Sequence, residues 1–168
     1  RENAYAKPSL MLKILREGVL EPKLFDDAMR VLYDHKMLRH VNENDFHIVM
    51  EEISGKSLNW FFKQWLHETG WVDYSLEKWK QTEDQLSVTV HKKGPYRMPI
   101  TILAISETED STLARFEVEN QTGDRTELFF MVSGKVKSVA IDPLNQIFDF
   151  DRRNNQKPYL PKFYFCTE

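Results

Sequence analysis

The sequence predicts an α+β protein, an N-terminal α-helical subdomain over residues 1–71 followed by a small antiparallel β-sandwich over 72–168. Three observations predict it. Up to Trp71 the apolar residues recur at the three-and-four spacing of a helix face. From Trp71 onward they alternate with polar residues at the period of two that a half-buried strand needs. The turn-formers Lys93-Gly94-Pro95, Gln121-Thr122-Gly123-Asp124, Ser133-Gly134-Lys135 and Asp142-Pro143 all fall in that second stretch, spaced as strand separators.

Four short helices account for the first part. Pro8 suits a first helical turn, Leu10, Met11, Ile14 and Leu15 share one face, and Gly18 offers a left-handed stop. Pro22 opens a second helix with Phe25, Met29 and Leu32 in one stripe. Asn42 or Asn44 caps a third, whose Phe46, Val49, Met50 and Ile53 follow the i, i+3, i+4, i+7 pattern. Ser57 is placed to cap a fourth, carrying Leu58, Phe61, Phe62 and Trp65 and ending at Gly70.

The strands alternate clearly at Leu86-Val88-Val90, Ala114-Phe116-Val118 and Leu128-Phe130-Val132. Shorter candidates are Tyr74–Leu76, Ile100–Ile102, Val139–Ile141 and Phe148–Phe150, and the tail from Tyr159 to Phe165 reads as an edge strand or an irregular end. Seven or so short strands with such turns point to a sandwich.

The bulk numbers exclude some functions. A net charge of -3 with dispersed lysines gives no electrostatic footprint for nucleic acid. No apolar run approaches the roughly 20 residues that cross a bilayer, and mean hydropathy is -0.54. With Cys166 as the single cysteine there is no internal disulfide.

The ordered motifs carry more. Tyr5-Ala6-Lys7-Pro8 precedes an apolar stretch; Asp45-Phe46, Met50-Glu51-Glu52-Ile53-Ser54-Gly55, Trp60-Phe61-Phe62-Lys63-Gln64-Trp65 and Gly70 follow in turn. That series resembles the C-terminal part of the catalytic domain of the aminopeptidase N family of gluzincin zinc metallopeptidases. The match is close through about residue 71 and looser through Asn155. In the family a Tyr-x-Lys-Gly run carries the catalytic tyrosine, which places that role on Tyr5; Pro8 stands where the family has Gly. Many members follow the catalytic domain with a β-sandwich, as the period of two does here. The likeness of Ile141-Asp142-Pro143 and Asn154-Asn155 to secreted bacterial members leans toward the periplasm or cell envelope.

The chemistry fits the tyrosine. Peptide hydrolysis develops negative charge on the carbonyl oxygen, and a phenol O–H aimed at it stabilises that charge. Phenols titrate near about 10 in water, so such a donor keeps its proton at neutral pH. The rest of the family's site is not in this chain. A gluzincin needs His-Glu-x-x-His on one helix, so that two imidazoles a turn apart bind zinc and the Glu acts as base. Here His67-Glu68-Thr69-Gly70-Trp71 has Trp71 at the second ligand position, and no Gly-x-Met-Glu-Asn run holds a substrate amine. The chain, which opens at Arg1, therefore reads as a C-terminal fragment. Zinc and its ligands, the base and the amine anchor lie in an upstream subdomain, peptides are the substrates, and this piece alone binds no metal and is inactive. The face bearing Tyr5 is then expected to be open, as a docking face for that subdomain. The rival reading is a non-catalytic scaffolding or binding protein of the same architecture.

Other candidates have simpler explanations. His47 and Glu51 lie one turn apart and could share a metal, but an exposed polar face opposite Phe46, Val49 and Met50 explains them. His35 and His40 sit near a helix end and read as capping or solvated residues. Asp142, Asp149 and Asp151 with Asn154-Asn155 match no twelve-residue calcium loop and read as turn-formers. Lys92-Lys93 with Tyr96 and Arg97 is too short a basic cluster to mark a ligand, and Lys7 has no assigned role.

Overall fold

A computed structural model describes residues 2–158, with side chains from Tyr5 onward. The tail from Tyr159, with its possible edge strand and Cys166, lies outside the described residues. By its internal contacts the chain divides into two compact units, Arg1–Gly70 and Trp71–Glu168.

The first unit is helical. Helix α1 (Glu2–Ile14) runs directly into a π-helical turn, Leu15–Val19. Pro8 lies inside α1 rather than in its first turn, because the helix begins at Glu2. An interior proline removes the bond that would reach the carbonyl four residues back, so the turn ahead of Pro8 is less firmly tied to the rest. Gly18 is not the left-handed stop. The glycines at positive φ are Gly55, Gly123 and Gly134, and the chain leaves α1's extension at Leu20, whose N–H donates to the Leu15 carbonyl at 2.8 Å. That wider turn rotates Val19 and Leu20 into the core, where they are 2% and 3% exposed.

Helix α2 (Pro22–Lys36) starts on proline and buries Phe25, Ala28 and Leu32; Met29 sits at the stripe's edge, so the small Ala28 replaces it in the core. Helix α3 (Glu43–Ser54) takes Asn42 as its cap. Asn42 Oδ1 accepts the Asp45 N–H at 2.9 Å and the Asp45 carboxylate accepts the Asn42 N–H at 3.2 Å. Gly55 closes it at φ 65°.

Helix α4 (Asn59–Phe62) continues through a second π-helical turn, Lys63–His67. Ser57 does not hold its N-cap. Leu58 does, and its N–H donates to Glu51 Oε1 of α3 at 2.5 Å, so a neighbouring helix supplies the cap. The end also differs, at an extended Glu68 rather than at Gly70. Ile14, Leu15, Met50, Leu58, Phe61 and Phe62 are buried together, with Phe46 and Phe62 packed edge to face at 5.7 Å.

The second unit holds seven strands among the described residues: β1 (Tyr74–Thr82), β2 (Gln85–Lys92), β3 (Ile100–Ser106), β4 (Ser111–Phe116), β5 (Arg125–Met131), β6 (Val136–Ile141) and β7 (Gln156–Lys157). They form two antiparallel sheets, β1-β2-β5 and β4-β3-β6-β7. Alternate residues are buried, as the period of two requires: Leu86, Val88 and Val90 on β2, and Ile100, Ile102 and Ala104 on β3. Phe116 of one sheet meets Phe130 of the other at 6.0 Å.

Two strand expectations need correction. Val118 belongs to a 3-10 turn (Val118–Asn120), where Glu117 and Asn120 cap each other and end β4. Phe148–Phe150 is not a strand, since Phe148 sits at φ 52° and Phe150 is 79% exposed. The irregular segment 142–155 instead carries its acids in structural bonds. Asp142 accepts the Gln146 N–H at 2.7 Å, and Asp149 accepts the N–H groups of Tyr74 and Asp151 at 2.7 and 2.9 Å.

Candidate functional site

α1 places Tyr5, and the helix period decides where it faces. At about 100° per residue, Ile14 lies about 180° around the axis from Tyr5, and Lys7 about 200°. Met11 and Ile14 are buried, so Tyr5 is carried on the opposite side and is 78% exposed. Among the described residues no hydrogen-bond partner for its phenol is seen. The O–H is thus open to an acceptor from outside the unit, which is what an oxyanion donor needs.

Lys7 falls in the middle of the inward side. Its ammonium donates to the Glu68 carbonyl at 3.4 Å, where α4 and its π turn have just ended. Glu68 is also held at its side chain, 3.8 Å from Lys63 Nζ. The Tyr-x-Lys spacing therefore puts one residue outward and the other against the body of the unit.

The histidines are dispersed. His47 is half-buried rather than on an exposed face: its ring lies 4.5 Å from that of Phe62, and Nε2 is 3.0 Å from Glu51 Oε1 without hydrogen-bond alignment. Glu51 is already engaged, since the Leu58 N–H holds its carboxyl below the usual range, assisted by His47 and Ser57. His67 pairs with Glu43 at 2.8 Å, and His35 and His40 are exposed.

A zinc site does not fit this residue set. Among the described residues no three of His, Cys, Asp and Glu converge on a metal position.

The remaining candidates are structural. Asp151 forms a two-pronged pair with Arg153 beginning at 2.6 Å, and Lys92 donates to the Gly94 carbonyl at 2.9 Å. Arg97 donates to the Gln121 carbonyl at 2.9 Å and Tyr96 is fully buried. One surface feature was not anticipated from the sequence. Met29, Tyr33, Met37, Leu38 and Val41 line an apolar groove of about 350 Å³ at the end of α2. The α2 periodicity places Met29 and Tyr33 there, but the fully exposed Leu38 follows from a turn conformation that no local pattern signals. Among the described residues no helix is long and apolar enough to cross a membrane.

Comparison with known proteins is informative at the level of fold. No family model matches the chain, and no curated protein matches it in sequence. Among solved structures, the chain is similar to Legionella pneumophila aminopeptidase A in complex with aspartic acid, with a TM-score of 0.62 at 14% identity. The likeness covers 84% of this chain and 17% of that one, so the chain spans under a fifth of its neighbour's length.

Proposed function

We propose that residues 1–71 are the helical C-terminal part of a metallo-aminopeptidase catalytic domain, that 72–168 are the β-sandwich after it, and that Tyr5 is a catalytic residue. The observation that carries the reading is the likeness to an aminopeptidase over 84% of this chain, through both units. The ordered motif series and the outward, exposed phenol of Tyr5 support it further.

The reaction is hydrolysis of the bond behind a peptide's N-terminal residue. Water's oxygen adds to the carbonyl carbon, the carbonyl oxygen becomes an oxyanion, and the C–N bond breaks as the leaving nitrogen takes a proton. Tyr5 donates its O–H to the oxyanion. That charge exists only in the transition state and intermediate, so the bond accelerates the reaction rather than tightening substrate binding. The zinc that the resemblance implies, with its ligands, the general base and the amine anchor, is assigned to residues outside this sequence, as the donors among the described residues do not fit it.

The test is Tyr5→Phe in the full-length protein, which keeps the ring and deletes the O–H. The expected loss is on the order of 10²–10³ in kcat, with KM, metal content and melting temperature unchanged. Near-normal kcat refutes the catalytic assignment. A wild-type protein without aminopeptidase activity favours the scaffolding reading.

A further inference from the structure

We propose that Lys7 is the positioning residue for Tyr5, tethering the first turns of α1 to the end of the fourth helix so that the phenol is held at a fixed angle. The inference rests on the catalytic reading of Tyr5 and adds the device that aims it.

Two independent observations make a tether necessary and identify it. Pro8 cannot donate to the carbonyl four residues back, so the turn carrying Tyr5 lacks one bond to the following helix. Along 5–9 the residues Tyr5, Ala6, Pro8 and Ser9 are exposed, and Lys7 alone is half-buried. Among residues 5–9 the covered side chain is therefore the lysine's. Its ammonium meets the Glu68 carbonyl at 3.4 Å. That carbonyl stands just past a helix C-terminus, where the helix dipole favours a cation. Lys63, 3.8 Å from the Glu68 carboxylate, steadies the receiving end.

The geometry then transmits the anchor to the phenol. Because positions two apart lie about 200° around a helix, pinning Lys7 inward fixes the rotation of the turn that holds Tyr5 outward. The tyrosine hydroxyl stands at the end of a long side chain, so a small rotation of an untethered turn moves it by about an ångström, enough to cost a large rate factor.

The experiment uses the full-length enzyme with Lys7→Met, Lys7→Arg, Tyr5→Phe and the Lys7→Met/Tyr5→Phe double variant. Lys7→Met keeps the chain length and loses the donor. It is expected to lower kcat about 10-fold or more, with KM and melting temperature unchanged and faster hydrogen exchange confined to the first turns of α1. Lys7→Arg, which retains donors, is expected to restore most of the loss. In the Tyr5→Phe background Lys7→Met should change kcat by less than about two-fold, because a residue acting only through the hydroxyl has nothing left to position. Multiplicative losses in the double variant, a loss carried by KM, or a silent Lys7→Met beside a damaging Tyr5→Phe each overturn the tether and leave the catalytic reading standing. A silent Tyr5→Phe overturns both.

Discussion

Two buried side chains in the second unit show how single groups set the local energetics. The Tyr74 hydroxyl donates to Gln121 Oε1 at 2.9 Å and accepts the Met98 N–H at 2.9 Å, while Gln121 Nε2 donates to the Met98 carbonyl at 2.7 Å. Burial pushes the Tyr74 phenol's pKa up, so it stays a donor under all ordinary conditions. Tyr74→Phe leaves the Met98 N–H and the Gln121 oxygen without this partner and should destabilise the protein by about 1–3 kcal/mol. Urea unfolding checks this; a change below about 0.5 kcal/mol would show that the network is dispensable. Asp149 works the other way. Burial pushes its carboxyl up to about 6, against the N–H bonds from Tyr74 and Asp151 that oppose the shift, with Asp73 adding repulsion. A carboxyl raised in the folded state contributes stability below its ordinary range, near 3.8, and that contribution is lost as pH rises through about 6. A rise from 3.8 to about 6 corresponds to on the order of 3 kcal/mol. Asp149→Asn should remove this pH dependence between 4 and 6, which denaturant melts across that range would read directly. An unchanged slope would place the burial cost elsewhere.

At the scale of elements, turns and helix ends give the sharpest tests. Gly94 lies in the Lys93-Gly94-Pro95 turn, and a Cβ there would sit 2.4 Å from the Trp71 carbonyl oxygen and 2.7 Å from the Asp73 nitrogen. Both obstacles are backbone, so neither can swing aside. Gly94→Ala should therefore cost at least about 1–3 kcal/mol, the range for overpacking. A thermal midpoint within a degree of the wild type would mean that the turn relaxes freely. Leu38, after α2, presents the opposite case. It holds φ 62° with its side chain 99% exposed, so it bears left-handed strain with no packing in return. Leu38→Asn, with a residue enriched in that conformation, should stabilise the protein by up to about 1 kcal/mol. A loss would show that the exposed leucine contributes to folding. The Asn42 cap was legible because its partner Asp45 is three residues away. The α4 cap was not, because Glu51 reaches the Leu58 N–H from another helix.

Across the whole molecule, paired or capped carboxyls and buried ones titrate with opposite sign. In the first unit, the Arg16 guanidinium holds Asp26 low, Lys36 and the Asn42 N–H hold Asp45 low, and the Leu58 N–H holds Glu51 low. Lowered carboxyls contribute stability above their ordinary range and lose it as pH falls. In the second unit, burial raises Asp142 and Asp149, whose contribution grows as pH falls, while Arg125 holds Glu77 low and Arg153 holds Asp151 low. Between pH 6 and 3, hydrogen exchange should therefore speed up in α2 and α3 while the Tyr74 and Gln146 amides, bonded to Asp149 and Asp142, hold or gain protection. A parallel loss in both would refute the assignment. The order of helices and then strands was determined by the sequence, because the apolar spacing changes at Trp71 and burial forces each spacing into its own backbone. The outward face of Tyr5 was implicit there too, since it lies opposite Met11 and Ile14 on the helix wheel. Only the tertiary structure decided how the ends are made. The π turns at Leu15–Val19 and Lys63–His67, the irregular path through Phe148, and the reach of Lys7 to Glu68 depend on partners distant in sequence. Helix and strand periods record which residues are buried, not which distant carbonyl or carboxylate meets an unpaired donor. Contacts of that kind fix where the elements end.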